Sequence, residues 1–351
     1  METYNPAGTE GFDFLEFSSP DKQTLVNHFE AMGFTNIGKH LSNDVTVYQQ
    51  NDIRFIINTT KDSMAMQFAE KHGPCVSAMG FRVKDASIAY QRALAQGGVP
   101  YTPHDGNNIY QIPAIYGVGN TLIYFVDYQN NTPNYAKQFS SLKTLQHAGR
   151  GLTYIDHVTH NLYRGNLDKL ADFYTRLFNF REIRYFDIEG KLTGLKSRAM
   201  TSPCGQIRIP LNESSDDKSQ IEEFLKDFSG EGIQHIALGC TDIYNSVTEL
   251  RKHGLDFLDT PDTYYDLIEK RLPKHGEFTD QLKQLKILID GDTQNDKRLL
   301  LQIFTKNMLG PAFFEIIQRK GDEGFGEGNF RALFESIEMD QIKRGVLNLE
   351  R

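Results

Sequence analysis

Cysteine is scarce in this chain. Its three cysteines in 351 residues, Cys75, Cys204 and Cys240, are odd in number and widely spaced. That excludes a disulfide framework and a CxxC metal site, and leaves three reduced, half-buried side chains. Long apolar runs are missing as well. No stretch approaches the roughly 20 residues of a membrane span, and the opening METYNPAGTEGF has neither the basic start nor the apolar core of a signal peptide. A cytoplasmic location without a membrane partner is expected. Basic charge is in deficit: 38 Lys and Arg face 46 Asp and Glu, a net charge of −8. No local cluster of Lys and Arg relieves it, which argues against nucleic acid or an anionic membrane surface. Small molecules are the expected partners. The one glycine-rich stretch, GFGEGNF at 324–330, lacks GxGxxG spacing and a lysine to meet phosphate, so it reads as a hinge.

What is present is a soluble globular composition, 39% hydrophobic and 24% charged. The length is that of about two domains. A weak two-fold repeat agrees with that division. GFDFLEF (11–17) leads into a helix from Asp21 to Met32, and the stretch 154–159 leads likewise into a helix from Asn166 to Phe178. PCVSAMGFRVKDASIAYQRALAQGG (74–98) parallels GEGIQHIALGCTDIYNSVTELRKHG (230–254), each reading strand, Asp, helix, glycine stop. NTLIYFVDY (120–128) parallels PAFFEIIQR (311–319). The expected architecture is α+β, two tandem domains of βαβββ units around curved sheets, at 1–140 and 150–351. The polar stretch 130–151, with Pro133 and Gly149, is the expected linker.

The second half has two additional stretches. In the first, Ser214 or Ser215 precedes acidic residues and an amphipathic run, Ile221, Phe224, Leu225 and Phe228, which reads as a capped helix. The second, 260–288, is placed over the sheet opening. Beyond Glu315, the glycines 321–328 lead to Phe330, Leu333, Phe334 and Ile337 at helical spacing. A terminal helix closing over the substrate is expected there.

Chemistry enters at Glu315, a carboxylate inside the apolar run GPAFFEIIQR. A buried carboxylate must be paired, protonated or bound to a cation. His157 in TYIDHVTHNL and His235 in GIQHIAL lie in strand-like apolar runs and supply partners. Two imidazoles and one carboxylate make the facial set that leaves positions open on Fe(II). Either histidine alone reads as a satisfied core residue. Three donors at matching repeat positions point to a metal. Zinc is the rival, but structural zinc favours closed Cys and His sets, and no HExxH occurs. His160, three residues beyond His157, falls on the opposite strand face. The repeat places Phe14, Ala78 and Tyr124 opposite His157, His235 and Glu315, so the first half is expected to be structural or assembly-forming.

SRAM, RIPLNE, KSQIEEFL, GIQHIAL, KILIDGD, LLQIFT, FFEIIQR and GFGEGNF, in that order, resemble the 4-hydroxyphenylpyruvate dioxygenase family, with its vicinal-oxygen-chelate fold. The resemblance spans the chain, densely over 150–340. It implies one Fe(II) per chain on His157, His235 and Glu315, and turnover of 4-hydroxyphenylpyruvate with O2 to homogentisate and CO2 in tyrosine breakdown. A homo-oligomer, dimer or tetramer, is expected. Ser197, Asn212, Gln220, Gln234 and Gln302 are implied to hold the phenol and ring, and Phe304 and Phe330 to sandwich it. Without the resemblance, Ser197 and Asn212 read equally as turn or cap residues and Gln220 as solvated. Gln234 is turned from the face of His235 by strand alternation, so a role in the site requires local twist or a bulge. The neighbouring readings are 4-hydroxymandelate synthase and a non-catalytic relative that binds aromatic acids. A dioxygenase is expected to carry Phe at the position of Phe330, where a mandelate synthase has a smaller aliphatic residue.

Overall fold

The computed structural model describes residues 4–103, 108–142, 149–189, 194–294 and 297–329. Phe330 and the expected terminal helix lie outside them.

Alternating and continuous apolar runs form two curved sheets. The first contains β1 (Thr9–Ser18), β2 (Thr35–Lys39), β3 (Val45–Gln50), β4 (Ile53–Asn58), β5 (Cys75–Val83), β6 (Ala114–Tyr116) and β7 (Leu122–Val126), in the order β2-β3-β4-β1-β5-β7-β6. Helices α1 (Lys22–Ala31), α2 (Met64–His72) and α3 (Ala86–Ala95) cover it. Asp21, Ser63 and Asp85 cap them by accepting backbone N–H groups of their first turns. A hairpin of β8 (Tyr128–Gln129) and β9 (Thr132–Pro133) follows. The stretch expected as a polar linker thus packs back on the first sheet, because its Tyr135 and Phe139 are buried there among Phe14, Tyr110 and Tyr124.

The second sheet repeats this order with one strand added. It runs β11-β12-β13-β10-β14-β17-β16-β15, formed by β10 (Leu152–Leu162), β11 (Arg181–Glu189), β12 (Gly194–Thr201), β13 (Arg208–Ser214), β14 (Gly232–Cys240), β15 (Leu288–Asp292), β16 (Arg298–Phe304) and β17 (Phe313–Lys320). In each sheet the first strand pairs parallel with the fourth and antiparallel with the fifth. Helices α4 (Leu167–Phe178), α5 (Gln220–Asp227) and α6 (Ile243–Lys252) lie in this half. The cap of α5 is Ser219 and not Ser214 or Ser215, because Ser214 ends β13 and bonds the backbone of Asp216 instead. Short helices α7 (Asp262–Asp266), α8 (Ile268–Arg271) and α9 (Thr279–Leu285) precede β15.

One continuous apolar core joins the two sheets. Phe17 and Phe55 of the first approach Phe314 of β17 at 6.3 and 5.9 Å between ring centroids, and Phe81 meets Phe178 of α4 at 5.3 Å. Phe314 and Glu315 are neighbours on one strand, so their side chains take opposite faces. β17 therefore buries Phe314 against the first half and turns Glu315 to the concave face of its own sheet.

Candidate metal centre

Three adjacent strands bring the three donors together. His157 on β10, His235 on β14 and Glu315 on β17 place ligand atoms within 4.8 Å of one another. Among the described residues they are the one such group of His, Cys, Asp and Glu. Glu315 Oε2 lies 3.2 Å from His157 Nε2 and 3.5 Å from His235 Nε2. The side chains of His157 and Glu315 are 2% exposed and that of His235 is 13% exposed, so solvent reaches the group past His235.

Each donor is held from behind. His157 Nδ1 donates to Asp156 Oδ1 at 2.8 Å, and His235 Nδ1 donates to Gln234 Oε1 at 2.9 Å. Both rings therefore aim Nε2 at the centre, the arrangement by which an outer partner fixes a ligating imidazole. Gln234 reaches the ring because β10 and β14 slip register there: Thr159 faces His235, while His160 faces Ile233. The bulge leaves Gln234 between the pairs. Thr159 Oγ1 donates to His235 Nε2 at 2.9 Å, a bond that a metal on that nitrogen would replace. Glu315 Oε1 accepts from Gln302 Nε2 at 3.0 Å, leaving Oε2 toward the two rings.

Charge separates the histidines. Burial pushes the His235 imidazole down, helped by the nearby His157 and His160, so it is neutral and ready to ligate. Burial also opposes charge on His157, but the carboxylates of Glu315 and Asp156 outweigh it and raise its pKa. Asp156 is fully buried, which alone would raise its carboxyl. Its hydrogen bonds from Arg319 and His157 win and hold it well below the usual carboxylate range. Arg319 reaches Asp156 with two bonds, 2.7 and 2.8 Å.

Aromatic rings wall the imidazoles. Phe313 stacks on His235 with centroids 5.0 Å apart, Phe325 meets His157 edge-on at 5.2 Å, and Phe304 lies 6.0 Å from Phe313. Further along the sheet, Ser197, Asn212 and Asn161 align across β12, β13 and β10, with Ser197 opposite Asn212 and Asn212 opposite Asn161. Asn212 Nδ2 approaches Asn161 Oδ1 at 3.5 Å, and the buried Asn161 Nδ2 has no partner. Gln220, first residue of α5, is exposed and is not drawn into this cluster. Gln302 is buried, with both ends of its amide engaged by Glu315 and Asn329. His160 faces away and bonds Tyr174 of α4 at 2.9 Å. Asp156, Thr159, Asn161, Phe313, Arg319, Phe325 and Asn329 were not identified from sequence. A charged Asp156 beside His157 in a buried run was the signal that could have found the first of them.

Residues 3–140 match the family model described as "Hydroxyphenylpyruvate dioxygenase, HPPD, N-terminal", and residues 154–280 match that of the glyoxalase/bleomycin resistance protein/dioxygenase superfamily. Over 349 residues the chain is 54% identical to a 4-hydroxyphenylpyruvate dioxygenase of Legionella pneumophila strain Corby, covering 99% of each chain. The chain belongs to the 4-hydroxyphenylpyruvate dioxygenase family. A dioxygenase of that name from Pseudomonas aeruginosa is 53% identical over 352 residues, covering 99% of this chain and 98% of that one. Among solved structures, a xylose isomerase-like TIM barrel/4-hydroxyphenylpyruvate dioxygenase fusion protein superposes with a TM-score of 0.80 at 33% identity, over 95% of this chain and 54% of that one. Membership of this dioxygenase family implies a metal cofactor, and the donor set fits one: two imidazoles and a carboxylate converge on one another, each backed by a hydrogen bond.

Proposed function

We infer that this chain converts 4-hydroxyphenylpyruvate and O2 to homogentisate and CO2 in tyrosine breakdown, with one Fe(II) on His157, His235 and Glu315. The observation that carries the reading is the convergence of two Nε2 atoms and one carboxylate oxygen within 4.8 Å of one another, a three-donor set that would leave positions on the metal for ligands from solution. Bound there, Fe(II) supplies the electrons and open positions for O2 chemistry on a chelating 2-oxo acid.

The protein's own residues orient and line the site. Asp156 and Gln234 hold the imidazoles in the ligating tautomer. Phe304, Phe313 and Phe325 line them with apolar surface. We assign the phenol end of the substrate to the polar row of Ser197 and Asn212 and the ring to Phe304 and Phe330; Gln220 is exposed, and Gln234 and Gln302 serve instead behind the donors His235 and Glu315. The half from 150 onward carries the chemistry. We assign residues 1–140 to structure and to homo-oligomeric assembly, where the exposed apolar side chains Leu41, Ile88 and Val99 offer surface to a second copy. No helix among the described residues is long and apolar enough to cross a membrane, and we infer a cytoplasmic location.

Metal analysis and chromatography of the product test the reading together. Iron near one equivalent per chain and homogentisate are expected. 4-Hydroxymandelate as the main product of the wild type would overturn the assignment, and light scattering of a lone protomer would overturn the assembly role.

A further inference from the structure

We propose that Asn329 is a positioning residue which, through Gln302, fixes which oxygen of Glu315 faces the metal. The proposal rests on the metal-site reading above. It arises from a hydrogen-bond chain that crosses from the α7–α8 segment to the centre. At one end stands Arg271, a guanidinium that can only donate; at the other stands Glu315, a carboxylate that accepts. Between them lie one hydroxyl and two amides, and the ends dictate how each must point.

Tyr264 OH accepts from Arg271 Nη2 at 2.8 Å and from the Ile289 N–H at 2.9 Å. Its single hydrogen is thus free to go to Asn329 Oδ1, 2.6 Å away and nearer than the Ile289 carbonyl at 3.0 Å. Arg271 Nη1 donates to the same Oδ1 at 3.2 Å. With Oδ1 claimed twice as acceptor, Asn329 must present Nδ2 to Gln302, whose Oε1 accepts it at 2.8 Å. Gln302 must then present Nε2 to Glu315 Oε1 at 3.0 Å. One oxygen of the ligand is occupied, and Oε2 remains for the metal. Tyr264, Gln302, Glu315 and Asn329 are all buried, where each bond is stronger and an unmade one costs more.

The glycine segment is shaped around this chain. A Cβ on Gly326, at φ 79°, would lie 1.7 Å from Gln302 Oε1, so only glycine lets the backbone pass the relay there. Gly328 N–H donates to Asp290 Oδ2 at 2.7 Å. Asn329 thus fastens the stretch read from sequence as a hinge to the metal ligand.

The test uses the full chain and Co(II) as probe, titrated by its visible absorption. Asn329→Asp keeps the acceptor for Tyr264 and Arg271, so the fold is kept, but it sets a second acceptor against Gln302 Oε1. Gln302 must then turn an oxygen toward Glu315. Co(II) affinity is expected to fall about 10- to 100-fold, the range for lost outer partners of a ligand, with a shifted absorption band. In a Gln302→Leu background the same change is expected to add nothing, since the relay is already cut. An Asn329→Asp protein with unchanged affinity and spectrum would overturn the proposal, as would an equal further loss in the Gln302→Leu background. Wild type that takes up no Co(II), or His157→Ala that binds as tightly as wild type, would overturn the metal-site reading instead.

Discussion

Phe14 holds in the first sheet the register position that His157 holds in the second: Phe14 pairs with Gly80, and His157 with Ala237. The same correspondence sets Ala78 beside Leu122 as His235 is beside Phe313, and Tyr124 beside Gly80 as Glu315 is beside Ala237. The first half even has a buried carboxylate nearby. Glu16 stands where Thr159 stands, bonded by Tyr110, Ser77 and Asn58. Its companions, however, are a phenyl ring, a methyl and a phenol, and the space is filled by aromatic packing.

One metal per chain is therefore expected, measured by elemental analysis of the purified protein. Replacing His157, His235 or Glu315 with Ala should remove both bound metal and turnover. Two metals per chain, or full activity in any of these variants, would refute the assignment.

Metal affinity should rise with pH. His157 has a raised pKa in the metal-free protein, and its proton must leave before Nε2 can ligate. His235 is shifted down and contributes no such competition near neutrality. Isothermal titration with Co(II) at several pH values should show up to about a tenfold gain per unit until His157 is neutral, with about one proton released. A pH-independent affinity would show that His157 does not ligate.

The three donors were legible because strand alternation and an internal repeat single them out within short windows. What closes around them was not, because it depends on contacts distant in sequence. Arg319 meets Asp156 across 163 positions, and Asn329 meets Gln302 across 27; no local pattern links such pairs. Gln234 was read as facing away because alternation assumes an unbroken ladder, and the register slip at Thr159 removes that assumption. The start of α5 was placed after Ser214 or Ser215 because a serine ahead of acidic residues reads as a cap, and only the strand end at Ser214 moves the cap to Ser219.

His160 should make stability fall in mild acid. It is fully buried, and burial pulls its pKa down to about 3 from an ordinary 6.5. Between those values the unfolded chain takes up a proton that the folded chain refuses, so stability declines as pH falls below 6.5. The loss is at most about 1.4 kcal/mol per unit, roughly 2 kcal/mol from pH 7.5 to 5. Urea unfolding at both pH values should show this decline reduced by that amount in His160→Gln, whose amide can still meet Tyr174. Parallel declines in the two proteins would contradict it.

Asp156 and Arg319 form the pair on which the His157 side of the centre depends. The carboxylate has no exposed side-chain surface and the guanidinium 8%. Arg319 also donates to the carbonyls of Asp322 and Gly324, at 3.0 and 2.7 Å, and lies over the ring of Phe325, which touches His157. Removing the cation would leave a buried carboxylate with the His157 Nδ1–H on Oδ1 and, as its remaining guanidinium, Arg208 at 3.5 Å. Arg319→Met is thus expected to lose about 3 kcal/mol of stability. Asp156→Asn keeps an acceptor for His157 but gives up its charge, so it should bind Co(II) about tenfold more weakly at pH 7. The double variant removes both buried charges together. Its loss of stability should fall short of the sum of the two single losses by about 1 kcal/mol or more, because residues in one network do not act additively. Urea unfolding of the four proteins measures the coupling. Strict additivity would mean that Arg319 supports the glycine segment alone and does not hold Asp156 in its charged form.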